Sequence, residues 1–442
     1  MVVALVHFDR FLLKCGLSKL RVQRTLNFMA TLQALVSGAG IAGAAAAYWL
    51  RKAGLNVTVV ERAASPRPGG QTVDLRGAGR TVVERMGLLD QIRSMTVTQR
   101  GIAWVDESGR HRAEMPVEAF GGRGIVSADE ILRGDLGAIL YEAARTGVRY
   151  LFDDTITALE QDQDGVMVSF ENASRRHFDL VVGADGLHSV VRRLTFGSET
   201  DALRPLGVLN SWFTIPAEID LEDWYLMFNA PQGRVVSIRP GRLPTEHKAA
   251  LSVRSEESFD RTDIDAQIEL LERRFTDVGW EAPRLLQAAR SAPDFYLESM
   301  GQVRLDRWSR ARVVLLGDAG YCPTPLTGLG TSLALVGAYV LAGELAISLR
   351  DASPQGDDAA IRVAFARYES RMRPYVEQGQ ELPPGGASGY APMSRLRIVT
   401  GWASMRWSQR WPMRLLMERI FSKADAIDLP DYEALKVAHS GA

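Results

Sequence analysis

Gly38-Ala39-Gly40-Ile41-Ala42-Gly43 decides how the rest of this chain is read. A G-x-G-x-x-G alone is weak evidence. This one follows the apolar run Leu32 to Val36 and opens an alanine-rich stretch, Ala44 to Leu50. A second apolar run, Val57 to Val60, then ends at Glu61. Strand, glycine turn, helix, strand and acid within about 30 residues is the layout of a dinucleotide-binding unit. Gly38 permits the turn, Gly40 lets backbone approach a pyrophosphate, and Gly43 lets the helix pack close to the strand. The helix N-terminus then presents free N–H groups and partial positive charge to the phosphates. Glu61 is placed to accept hydrogen bonds from an adenosine ribose. A glycine-rich turn in an ordinary α/β domain would account for the six residues but not for their four neighbours.

At 442 residues the chain exceeds one hydrophobic core, so two or three domains are expected. A net charge of −1 argues against a general nucleic-acid binder. Cys15 and Cys322 make no disulfide framework and fit a reducing cytoplasm. The six histidines are scattered without metal-ligand spacing, so no metal is expected. Residues 1–30 form an N-terminal extension that leans basic and makes a poor signal peptide. The apolar stretch Ser332 to Leu349 is interrupted by Glu344 and rich in small residues, which predicts a buried helix rather than a membrane span.

Along the chain, Arg80 to Ser94 reads as a helix and Gly101 to Met115 as a hairpin turning at Asp106–Gly109. A helix capped near Ser127 runs to about Thr146, and Val148 to Val182 alternates like strands. Aromatic-rich strands follow from Leu206 to Ser255, then a charged helix over Asp263 to Thr276. Leu382 to Gly389 reads as a linker before a basic helical segment. In that segment Trp402, Met405, Trp407, Trp411, Leu415 and Leu416 interleave with arginines; the pattern predicts a packed helix with its arginines facing water, over a membrane or nucleic-acid surface.

Three later segments complete the first. Arg133, in Ile131-Leu132-Arg133-Gly134-Asp135-Leu136, can pair bidentately with phosphate oxygens. The apolar strand Leu180 to Gly183 ends in Asp185-Gly186, where an α/β sheet binds ligands, although an aspartate cap explains it as simply. The strand Val313 to Leu316 runs into Gly317-Asp318 and a Pro/Gly loop. An acid at that strand end can bind a polyol hydroxyl, the loop lets backbone N–H groups approach a flat ring, and the next helix N-terminus favours an anion such as a reduced flavin.

With these residues in order, the chain resembles the class A flavoprotein aromatic hydroxylases of the para-hydroxybenzoate hydroxylase fold. Within them it looks most like the tetracycline-inactivating monooxygenases and related actinobacterial FAD-dependent oxygenases. The resemblance spans residues 32 to 435 and includes Gly69-Gly70-Gln71-Thr72-Val73-Asp74-Leu75 as a flavin-side loop. It implies an α/β fold with a discontinuous Rossmann-like FAD-binding domain (31–100, 125–205 and 290–380). A β-sheet substrate domain (101–124 and 206–289) is inserted into it, and C-terminal bridging helices (381–442) follow.

The resemblance also implies roles. Gly38, Gly40, Ala42 and Gly43 cradle the FAD pyrophosphate, Glu61 binds the adenosine ribose, and Arg62 lies beside the adenine. Arg133 contacts the phosphate-ribitol portion, Asp318 after Gly317 binds ribitol, and the backbone of Pro325, Gly328, Leu329, Gly330 and Thr331 lines the flavin ring. Asp185 belongs to a motif associated with FAD and NAD(P)H. The implied reaction uses NAD(P)H as a transient electron donor and O2 as co-substrate. One oxygen atom passes through a flavin hydroperoxide to a bulky aromatic or polyketide-like substrate. Hydroxylation is the first expectation; epoxidation, Baeyer–Villiger insertion, or a dehydrogenase or reductase without oxygen chemistry are the alternatives. No catalytic side chain is obligatory. Asn210, Trp212, Trp224, Met227, Phe228 and Arg239 are candidate substrate contacts by placement. No nucleic-acid or membrane partner is expected, and the protein is expected to be a cytoplasmic monomer or weak homodimer. Three positions depart from the family's usual residues: Tyr321 stands for His, Ser332 for Asn and Gly337 for Asp. Cys322 sits in the flavin loop, where packing is favoured over a covalent thioether.

Overall fold

The computed structural model describes residues 32–67, 69–122, 124–127, 129–351, 357–411, 413–421 and 427–436. The N-terminal extension therefore lies outside the described residues. Two large sheets organise the rest. The first has six strands in the order 309–310, 313–315, 180–183, 33–37, 56–61, 148–152. All neighbours run parallel except the outer pair 309–310 and 313–315. Parallel strands are covered on both faces and read as continuous apolar runs. Ala34, Leu35, Val36, Val181, Val182, Val313 and Val314 accordingly lose all their surface.

The helix Ile41–Lys52 follows the glycine turn and packs against Gly330–Arg350 and Arg133–Ala144. Gly330–Arg350 is long and apolar enough to cross a bilayer, but 94% of its most apolar window is buried inside the protein. Its one charge inside, Glu344, accepts hydrogen bonds from Arg371 Nε at 2.5 Å and Tyr432 OH at 2.8 Å, which is how a carboxylate is tolerated there.

The second sheet has seven strands in the order 296–303, 203–216, 246–254, 234–240, 224–230, 101–105, 111–116. Successive residues of a strand point to opposite faces. Leu209, Phe213, Ile215, Leu226, Val236, Ile238, Leu251 and Val253 fill one face with the helices Ile264–Phe275 and Ala282–Ala289. Asn210, Trp212, Tyr225, Arg239 and Ser252 therefore share the other. The strand Tyr296–Val303, assigned from sequence to the cofactor domain, is hydrogen-bonded along Leu203–Trp212 at the edge of this second sheet.

Local differences from the sequence reading have local causes. The helix expected over Arg80–Ser94 breaks at Gly87 (φ +73°) into Gly77–Arg85 and Leu89–Arg93. Glu130–Leu132 is a strand paired with Thr72–Asp74, so the following helix starts only at Arg133. The linker expected over Leu382–Gly389 carries a short helix, Gly386–Tyr390. In the C-terminal helix Arg395–Ser408, Ile398 is buried and Trp402 lies under the Arg112 guanidinium. Trp407, Trp411 and Leu415, expected to pack, are instead 55%, 80% and 54% exposed. The stripe that packs on the sheet leaves the opposite side of the helix outside.

Candidate cofactor and substrate site

The four sequence segments meet at the C-terminal ends of the parallel strands. Gly38 sits at φ +97°, and its N–H donates to Val60 O at 2.7 Å. A Cβ on Gly38 would lie 2.6 Å from Ala184 O, so the glycine turn and the Asp185 loop touch through backbone. A Cβ on Gly43 would lie 1.8 Å from Gly38 O, which fixes how closely the helix follows the turn. A Cβ on Gly317 would lie 3.0 Å from Ala42 Cβ, bringing the Asp318 loop against the same helix. From the other side, a Cβ on Gly40 would lie 3.8 Å from Arg133 Nη2.

The helix Ile41–Lys52 begins without a side-chain cap and without an acid in its first turn. Its leading N–H groups and the Arg133 guanidinium thus border one space that only a glycine leaves open, which suits an anion. Arg133 is itself exposed, and its backbone is held by its N–H donating to Gln71 O at 2.9 Å, while Gly134 N–H donates to Gly69 O at 2.7 Å. Glu61 accepts from the N–H of Ala39 at 2.8 Å and of Ala63 at 2.9 Å, tying the turn to the strand end. Carboxylate lone pairs remain there for further donors. Arg62 beside it is exposed.

Asp318 opens onto the same cleft. Loss of water from its other sides pushes its carboxyl up, while Arg133 draws it down. The helix Gly330–Arg350 again starts without a side-chain cap or first-turn acid, and a Cβ on Gly330 would lie 3.8 Å from Asp318 Oδ1. Between them runs Pro325–Thr327, closed by Gly328 at φ +65°, where a Cβ would meet Asp74 Oδ2 at 3.3 Å; Leu329 and Thr331 flank the helix start. A flavin dinucleotide fits this donor set: two uncapped helix starts, an arginine between them, a carboxyl in the cleft and a glycine-lined loop.

Asp185 is placed differently. Its oxygens accept from Ser189 Oγ at 2.5 Å, Val190 N–H at 2.8 Å and Val191 N–H at 3.1 Å, which caps the helix Val190–Phe196. The buried Arg192 that follows donates to Ala319 O at 3.0 Å and Leu187 O at 2.6 Å, stapling the two loops. Two residues with no sequence signature hold the flavin loop from beneath. Gln302 donates to Pro323 O at 3.0 Å, and Gln380 donates to Val303 O at 2.7 Å and Tyr321 O at 3.2 Å. Both glutamines are buried, and only that burial betrays them.

The departures from the family pattern have a packing account. A Cβ on Gly337 would lie 2.2 Å from Tyr321 OH, so tyrosine at 321 requires glycine at 337. That phenol is buried and meets Tyr368 OH at 2.9 Å. Ser332 donates to Arg76 O at 2.9 Å, and a Cβ on Gly79 would lie 2.7 Å from Ser332 Cα, so the residue at 332 sits against a close helix crossing. Cys322 is buried, and burial together with Asp318 raises its thiol well above the usual range, which disfavours thiolate chemistry.

On the sheet side, Asn210, Trp212 and Arg239 share the face toward the flavin loop. Asn210 accepts from Ser252 Oγ, which also meets Tyr390 OH at 2.7 Å. Trp212 stacks on Tyr296 with centroids 5.0 Å apart, and Tyr296 OH donates to Gln71 Oε1 at 3.1 Å. Arg239 pairs with the buried Glu130, donates to Gln99 Oε1 at 2.9 Å and lies 4.5 Å over the Tyr225 ring. Burial pushes Glu130 up to about 7, against the pull of Arg239 and with Asp74 adding to the rise. Met227 has the same facing but is packed with Ile102, Val235 and Ala391. Trp224 and Phe228 correct the sequence reading: both lie in the core on the helix-covered face. Neighbours such as Met227 and Phe228 cannot both face one cleft.

Against known proteins, the FAD binding domain family matches residues 31–372. An uncharacterized protein of Mycobacterium tuberculosis is 44% identical over 361 residues, 81% of this chain and 94% of its own length. A flavin-dependent monooxygenase of Legionella longbeachae is 38% identical over 405 residues, 91% of this chain and 99% of its own. The crystal structure of tetracycline destructase Tet(55) matches with a TM-score of 0.74 at 36% identity, covering 91% of this chain and 99% of that one. The chain belongs to the FAD binding domain family. It is an FAD-dependent monooxygenase, and NAD(P)H and O2 are the family's usual co-substrates.

Proposed function

We propose that the protein inserts one oxygen atom into a planar, polycyclic phenol or polyketide-like substrate lying between the flavin loop and the inner face of the seven-stranded sheet. The observation that carries this reading is the composition of that face. Trp212, Tyr225, Tyr296 and Tyr390 supply flat apolar surface, while Asn210 and Arg239 supply few, fixed polar contacts. Such a mix suits a bulky ring system with a small number of oxygens. The likeness to a tetracycline destructase supports the same substrate class.

Bound FAD, reduced by NAD(P)H, supplies the oxygen-activating chemistry. The chain's own residues do the rest. The N–H groups after Gly40, with Arg133, would hold the pyrophosphate; Glu61 and Arg62 would hold the adenosine end; Asp318 would hold ribitol; and the backbone from Pro325 to Thr331 would border the ring. The N-terminus of Gly330–Arg350 would favour negative charge on a flavin bound there. Asn210 and Arg239 orient the substrate, and the aromatic surface excludes water.

The test is NADPH oxidation by purified holoenzyme with tetracycline and a panel of polycyclic phenols under labelled O2. Mass spectrometry should find one labelled oxygen in the product. Substrate-dependent oxidation of NADPH without label would favour a reductase.

A further inference from the structure

The C-terminal segment carries an exposed surface that the reaction does not use. Among the described residues, six large apolar side chains between positions 393 and 415 stand open to solvent: Met393, Leu396, Val399, Trp407, Trp411 and Leu415. Their spacing is regular. Ile398, Trp402, Met405 and Ser408 form the stripe of the helix Arg395–Ser408 turned toward the protein, with Ile398 and Ser408 buried. Leu396, Val399, Ala403 and Trp407 form a second stripe on the outside, and Trp411 continues it beyond the helix end. A helix of a globular protein ordinarily has one apolar stripe. This one has two, and only one is covered.

The charge around the outer stripe is strongly positive. From Met393 to Glu418 the sequence holds Arg395, Arg397, Arg406, Arg410 and Arg414 against one acid, Glu418, which pairs with Arg414 Nε at 2.9 Å, in a chain whose net charge is −1. All five arginines are exposed. A second copy of the chain meeting this surface across a two-fold axis would set this excess of arginine against itself. An apolar interior partner would strand the same charges. Exposed tryptophans and aliphatics ringed by arginines match a bilayer interface bearing anionic headgroups: rings sit at headgroup depth and guanidinium groups pair with phosphate.

We propose that the outer face of Arg395–Ser408, extended by Trp411 and Leu415, docks the protein on an anionic lipid bilayer, with Leu396, Val399, Trp407 and Trp411 entering the interface. The surface also adjoins the cleft in sequence. The segment before it, Gly386–Tyr390, places Tyr390 OH on Ser252 of the substrate face and Ser388 on Arg254. A docked enzyme would have this end of its cleft near the lipid, where flat apolar substrates concentrate. The docking claim stands independently of the substrate proposed above.

The test uses the full-length holoenzyme and sedimentation with vesicles of phosphatidylcholine, with and without phosphatidylglycerol. Binding is expected only with phosphatidylglycerol, weakening as salt rises. Replacing Arg406 and Arg410 by serine should lower affinity about fivefold per arginine. Trp407→Ser with Trp411→Ser should abolish sedimentation, with FAD content and turnover of a soluble substrate unchanged, since neither residue touches the cleft. Three results overturn the proposal: no binding to either vesicle, equal binding to both, or a concentration-dependent dimer in light scattering that the tryptophan replacements abolish.

Discussion

Gly43→Ala is the sharpest perturbation of the cofactor cradle. The added methyl would lie 1.8 Å from Gly38 O, 2.9 Å from Gly38 C and 3.4 Å from Val36 Cγ1. The first two are backbone atoms, so no rotamer change relieves the overlap. Restoring ordinary contact requires the start of Ile41–Lys52 to move by about 1.5 Å. Gly38 cannot yield in compensation, because its N–H is tied to Val60 O and Ala184 lies against it. Overpacking of this kind costs about 3 kcal/mol, near the upper end of the usual range. Thermal unfolding should fall by roughly 3–5 °C. Because the moved element is the helix start proposed to hold the pyrophosphate, FAD content should fall with it. Gly40→Ala is the contrasting control: its methyl meets nothing nearer than Arg133 Nη2 at 3.8 Å, so the apoprotein should keep its stability while FAD affinity drops. Melting curves by differential scanning fluorimetry and flavin content by absorbance read both. A Gly43→Ala protein with wild-type melting and full flavin would refute the close crossing, and a Gly40→Ala protein that unfolds would refute the open space above Gly40.

Asp318→Ala should purify as largely colourless apoprotein; full yellow colour would show that its carboxyl does not hold ribitol. Gly337→Ala alone should destabilise by about 2 kcal/mol through contact with the Tyr321 hydroxyl, and Tyr321→His should recover much of the loss in the double variant; additive losses in denaturant titrations would contradict the pairing. Glu130, raised to about 7 in the fold, binds its proton more tightly there than in the unfolded chain. Its contribution to stability is present at acid pH and is lost as pH rises from the ordinary carboxyl range through about 7. Glu130→Gln should therefore gain in melting temperature relative to wild type between pH 5 and pH 8, and a pH-independent difference would show that Glu130 titrates normally.

Much of the cofactor side was legible in the sequence because its constraints are local. A glycine turn, continuous apolar strands and acids at strand ends follow from backbone geometry within a few residues, as at Gly38, Val181 and Asp318. The substrate side was less legible. Whether Met227 or Phe228 faces the cleft depends on sheet register, and register is a non-local property. Tyr296–Val303 lies far along the chain from the strand it pairs with, so sequence order grouped it with the cofactor-domain residues that follow it. Gln302 and Gln380 hold the flavin loop through backbone carbonyls, for which no spacing rule exists. The C-terminal helix misled for a different reason: apolar residues on two opposite sides of one helix look in sequence like a single well-packed element.

The account rests on four distant segments enclosing one flavin dinucleotide, and a crystal structure of the full chain with FAD tests this most directly. It should show the pyrophosphate against the N–H groups of Ile41 to Gly43 within reach of Arg133, with ribitol hydroxyls on Asp318 and the ring along Pro325 to Gly330. Flavin held elsewhere, or protein that takes up none at saturating FAD, would contradict it.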